Sequence, residues 1–110
     1  MVRTMVMAAL AGLAFAVTAG AAAAGEATCY NTDEGEYPCW FEPGEGGDFD
    51  ITADGYTTYF VDITEPGVAW VSAVFPDTDR TVNLPGPYLR QRADPACWRN
   101  METSHEICAW

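Results

Sequence analysis

The sequence predicts an all-β fold: a small antiparallel β-sandwich or barrel of five to six short strands, stapled by two disulfides. Three observations carry this. Aromatic and β-branched residues alternate with polar ones between Gly47 and Phe75, the period-two pattern of half-buried strands. Turn signals built from Pro, Gly and Asp recur at intervals of roughly ten residues, the spacing of sandwiches and small barrels. Cysteine occurs in even number, at Cys29, Cys39, Cys97 and Cys108, which in a small exported chain implies a disulfide framework.

The first segment is expected to lie outside the fold. Arg3 is followed by an apolar run from Met5 to Val17 and by small residues ending in Ala22-Ala23-Ala24. That order describes a secretory signal peptide over residues 1–24. A lipid-anchored Cys29 is not expected, because Glu26-Ala27-Thr28 lacks the aliphatic and small residues such a signal needs. Residues 25–110 are then a single acidic, disulfide-bonded β-domain, periplasmic or secreted, with no integral membrane segment after cleavage. A domain this small buries only about 60% of its unfolded surface, so its core alone is marginal.

Four cysteines allow three pairings. Cys29–Cys39 with Cys97–Cys108 is favoured, each pair closing a short polar loop. Each such loop is worth about 2.5–3 kcal/mol by chain entropy, and a crossed pair about 4.5. Energy therefore does not select the local pairing; nearness along the chain does. Zinc is disfavoured, since the spacings are not C-x2-C and His105 is the only histidine.

Tyr37 to Phe41 reads as a strand with Pro38 near its start, which places it at a sheet edge. Asp48 to Thr52 and Tyr56 to Ile63 form a hairpin around Asp54-Gly55. A three-residue loop pairs Thr52 with Tyr56 and gathers Phe49, Ile51, Thr57, Tyr59, Val61 and Ile63 on one inner face; a one-residue slip would exchange the faces. Glu65-Pro66-Gly67 turns the chain into a third strand, Val68 to Phe75. With Ile63 opposite Val68, Trp70 and Ser72 join the inner face. The outer face then holds Tyr56, Phe60, Val71, Ala73 and Phe75, apolar at its centre and acidic at the margin through Asp48, Asp50 and Asp62. Arg80 to Leu84 and Tyr88 to Ala93 supply two more strands. Cys97 to Trp110 reads as a disulfide-tied tail, with Asn100 capping one helical turn. Trp40, Trp98 and Trp110, each within two residues of a cysteine, are expected to pack on a disulfide or in the core.

Charge is the least ordinary feature. The chain carries 16 Asp and Glu against 5 Lys and Arg, a net −11. Every acid follows residue 25, and between Gly25 and Glu65 no base accompanies them. Arg80, Arg90, Arg92 and Arg99 all come later and are expected to pair with this acidic half. Nucleic acid is excluded as a partner, because phosphate binding needs the opposite sign. A cationic protein, a polyamine or a divalent metal suits the sign.

No catalytic residues are expected. Ser104-His105-Glu106 has the residue types of a triad, but adjacent side chains do not ordinarily face one another. Asp48-Phe49-Asp50 through Gly55 has the look of a calcium loop, yet Val61 stands where an EF-hand needs its Glu. No metal or cofactor follows. The expected function is that of a monomeric, non-enzymatic secreted binding module. It would meet a cationic protein through its acidic, aromatic-rich half, at Asp48, Asp50, Asp62, Tyr56, Phe60, Val71 and Phe75. The alternatives are a structural envelope-associated domain without a specific ligand, and a small hydrolase or calcium-dependent module.

Overall fold

In the computed structural model, which describes residues 23–110, each strand runs antiparallel to its neighbours and the last pairs with the first. The expected signal peptide, save its last two positions, lies outside the described residues. The strands are β1 (Gly25–Asn31), β2 (Gly35–Pro43), β3 (Phe49–Thr52), β4 (Thr58–Glu65), β5 (Val68–Val74), β6 (Thr81–Asn83), β7 (Tyr88–Arg90), β8 (Cys97–Asn100) and β9 (Glu106–Ala109), with one 3-10 turn at Glu45–Gly47. Going round the ring, β1 to β5 follow chain order, then come β7, β8 and β9, which returns to β1. The result is an eight-stranded antiparallel barrel. β6 is an extra strand on the far half of β5.

β6 and β7 share one edge of β5. Asn83 faces Ser72 and Tyr88 faces Ala69, so Leu84–Pro87 holds two residues more than the opposing stretch. The barrel has more strands than the sequence suggests. β1, β8 and β9 come from segments that read as turn-rich ends, because their inward positions include the polar Asn31 and Asn100.

Alternation decides the interior. Cys29, Tyr37, Cys39, Phe49, Ile51, Tyr59, Val61, Ala69, Val71, Ala73, Tyr88, Trp98 and Ile107 form one buried cluster. The Cys29–Cys39 disulfide lies inside it, joining β1 to β2. Cys97–Cys108 links directly opposed residues of β8 and β9 on the other face of those strands. The favoured pairing is the one present.

Three local expectations need correction. The β3–β4 hairpin pairs Ile51 with Tyr59 rather than Thr52 with Tyr56. The slip is two residues, so the inner face survives. Its cause is Glu34, whose carboxylate accepts the Thr57 N–H at 3.2 Å and hydroxyl at 3.1 Å and so draws Thr57 out of the ladder. The second correction changes a face. A register irregularity between Ile63 and Glu65 sets Ile63 opposite Ala69 and Val61 opposite Val71. A bulge of one residue exchanges inside and outside. Val71 and Ala73 therefore point into the core, and Trp70 and Ser72 point outward. The apolar outer face expected from the sequence does not exist in that form.

Third, β2 is not an edge strand. Pro38 lies opposite Thr28, whose N–H and carbonyl both bond to Trp110. The missing Pro38 donor thus faces the β3 side, and β3 has already ended at Thr52. A proline is tolerated here because no ladder acceptor stands opposite it.

Candidate functional site

Two regions gather polar and aromatic side chains. The first is the outer face of β2 to β5. Registry sets Glu42 opposite Asp50, Asp50 opposite Phe60, Phe60 opposite Ser72, and Asp62 opposite Trp70. Trp40 and Trp70 are both exposed, at 46% and 47%, and the Trp40 indole donates to Glu42 at 2.9 Å. Partial burial, then Asp62, Glu42 and Asp48, push the Asp50 carboxyl above its usual range. A shallow groove of about 370 Å³ runs beside Trp70, between Asp62, Ser72, Asn83 and Leu84.

The arginines do not neutralise this face. Among the described residues the one ion pair within 4.0 Å joins His105 to Asp33. Arg90 instead lies over the Trp98 ring, 4.7 Å from its centroid. The expected pairing of the arginines with the acidic half is overturned: among the described residues no arginine lies within 4.0 Å of a carboxylate.

The sequence-derived candidate surface divides four ways. Asp50, Phe60 and Asp62 share the outer face. Asp48 is half-buried, and its carboxylate accepts the Ile63 N–H at 2.7 Å, so it braces the β3–β4 corner. Tyr56 and Phe75 are partly buried against the core, and Tyr56 stacks on Tyr37 at 4.2 Å. Val71 is inside. Of the three tryptophans near cysteines, only Trp98 is buried; Trp40 and Trp110 are exposed. As for metal chemistry, Cys97, Glu106 and Cys108 are the only three ligand-type residues whose donor atoms cluster within 4.8 Å among the described residues, and both sulfurs are spent in a disulfide.

The second region is one mouth of the barrel, which sequence reasoning passed over. Two buried asparagines build it. Asn31 Oδ1 accepts the N–H groups of Asp33 and Glu34, and Asn100 Oδ1 accepts those of Glu102 and Thr103. Each thereby folds the hairpin after it, and each turn ends four residues on at positive φ, Gly35 at 80° and Ser104 at 66°. The cap expected at Asn100 is present, but the chain turns once and returns as β9 instead of continuing as a helix.

That turn aims His105 into the mouth. Its Nδ1 lies 2.8 Å from the Tyr88 hydroxyl, and its Nε2 lies 3.4 Å from the Tyr59 hydroxyl and 3.5 Å from an Asp33 carboxylate oxygen. A carboxylate only accepts, so the Nε2 proton belongs toward Asp33, and Nδ1 accepts from Tyr88. Burial raises both tyrosine pKa values and lowers that of His105, against the opposing pull of Asp33 and Glu34. Neighbours Ser104 and Glu106 take no part, Ser104 being exposed and Glu106 facing Arg99 along the ladder.

No family model, curated protein or solved structure matches this chain.

A pH test follows for the mouth. The His105 pKa is below the unfolded 6.5, so the unfolded chain binds the proton more readily. Its contribution to stability is then complete above about pH 6.5 and is lost as pH falls toward the folded value. Urea midpoints between pH 7.5 and 5 should fall for the native chain and fall less for His105→Gln; parallel slopes would remove His105 as the cause.

Proposed function

We propose that the protein is an exported, monomeric and non-enzymatic binding module whose outer β2–β5 face receives a cationic protein. The observation that carries this is the acidic face itself, with Glu42, Asp50 and Asp62 interleaved with Trp40, Phe60 and Trp70 and with no arginine counter-ion. Like charges crowded on one face are held at a cost in stability, which a Lys- or Arg-bearing partner relieves on binding. The exposed indoles add cation–π attraction, worth about 0.5–1 kcal/mol each at exposed sites. The disulfides suit an oxidising compartment.

An oligo-arginine peptide, titrated by calorimetry at low and at near-physiological salt, tests this reading. Asp50→Asn with Asp62→Asn should weaken binding about fivefold to tenfold, and Trp70→Ala about threefold. Asp77→Asn with Asp79→Asn removes the same charge from the exposed β5–β6 loop and should change little. If both charge pairs weaken binding equally and Trp70→Ala does nothing, only net charge is at work. The domain is then a structural one whose acids serve solubility.

A further inference from the structure

The mouth holds a cavity of about 310 Å³, lined by Asp33, Tyr59, Phe75, Leu84, Tyr88 and His105, with Thr32, Pro85 and Thr103 completing it. The one lining residue it shares with the groove beside Trp70 is Leu84. Its floor is fixed: Tyr59 and Tyr88 are 2% and 1% exposed and are tied to one imidazole. One wall is apolar, formed by Phe75 and by Leu84 and Pro85 from the break between β6 and β7. That break is clamped in place. Met101 N–H donates to the Pro87 carbonyl at 3.0 Å, and Asn100 Nδ2 donates to that of Pro85. Gly86 sits so close to Glu102 that a Cβ there would meet its side chain at 2.7 Å, with φ already at 68°.

Charge in the cavity is one-sided. Thr32 Oγ1 already accepts from the Glu106 N–H, and Thr103 Oγ1 from that of His105. The Tyr88 hydroxyl proton is directed at Nδ1. Each threonine hydroxyl keeps its own donor proton; the one charged acceptor is the Asp33 carboxylate, 75% exposed at the rim, with the Tyr59 oxygen below it. Asp33 is the only carboxylate among the lining residues, and neither lysine nor arginine is among them. An anionic ligand meets a carboxylate within a chain of net charge −11. An ammonium group meets acceptors at the rim, and an apolar body behind it meets Phe75, Leu84 and Pro85. An apolar cavity of about 150 Å³ holds a benzene ring, so this one has room for a ring and its amine.

We propose that the barrel mouth is a binding site for a small primary amine carrying an aromatic or aliphatic body, its ammonium held between Asp33 and Tyr59. Benzylamine is the probe, with benzyl alcohol as the uncharged and benzoate as the anionic comparator. Each is titrated into the native domain at near-physiological salt and followed by backbone amide shifts. Benzylamine should move residues 32–33, 59, 75, 84–88 and 103–105 and bind at least about tenfold tighter than benzyl alcohol; benzoate should not bind. Asp33→Asn should erase the amine's advantage with the fold intact by circular dichroism, whereas Asp54→Asn, a control acid outside the cavity, should keep it. The proposal is overturned by an absence of shifts, by shifts centred on Trp40 and Trp70, by benzyl alcohol matching the amine, or by Asp33→Asn leaving the ratio unchanged. The outer-face reading survives each of those results, because its variants and its probe are different.

Discussion

Reducing both disulfides is expected to unfold the domain at 37 °C. Each closes a loop of near-equal length, with sequence separations of 10 and 11, worth about 2.7 kcal/mol apiece by chain entropy. A domain of this size has a total stability of about 4–13 kcal/mol, so losing both consumes much or all of it. Reduction leaves the Cys29 and Cys39 sulfurs in the core as thiols, whereas replacing both by alanine would add a void between β1 and β2 to the loss. Circular dichroism with and without reductant measures the effect directly. The Cys97→Ala, Cys108→Ala double variant should remain folded and lose about 3 kcal/mol in urea titration. A reduced protein that keeps its near-ultraviolet aromatic signal would show that the barrel core is sufficient alone.

Trp98→Ala should be the most damaging single substitution among the tryptophans. Its ring is 2% exposed, lies on β8 facing Ile107 of β9, and carries the Arg90 guanidinium over it. Truncating a buried aromatic costs about 3–5 kcal/mol, a large share of a total of about 4–13 kcal/mol. Trp70→Ala, by contrast, removes a half-exposed ring and should stay within about 1 kcal/mol of the native chain. Chemical denaturation of the two variants separates them. Equal losses would mean that the β5 face assignment is wrong.

Those two tryptophans also show what could be read from sequence. The hairpin around Asp54-Gly55 was legible because Phe49, Ile51, Tyr59 and Val61 recur at every second position, beside Asp50, Thr58 and Asp62, and a two-residue slip leaves such a pattern unchanged. β5 was not. Val68-Ala-Trp-Val-Ser-Ala-Val is apolar on both faces, so alternation gives no preferred side and a single bulge at Thr64 decides. The disulfide pairing followed from chain proximity. The mouth stayed hidden for a different reason. Its groups come from the β1–β2 turn, β4, the residue after β5, the Leu84–Pro87 break, β7 and the β8–β9 turn, and no local motif links Asp33 to His105 or Tyr59 to Tyr88. The one available signal was the placement of Asn31 and Asn100 just before turns, and each of them looks like an ordinary cap on its own.

The pairing of β9 with β1 has a topological consequence. Thr28 and Trp110 exchange two backbone hydrogen bonds, at 3.3 and 2.8 Å, so the two ends of the barrel chain lie side by side. With β6 set apart, strand order round the wall is simply strand order in the chain, and the ring has no privileged starting point. A circular permutant joined through Trp110 and Gly25 and opened at Asp54-Gly55 would keep every strand neighbour. The wall, its acidic face and its mouth are thus the same object wherever the ring of strands is cut.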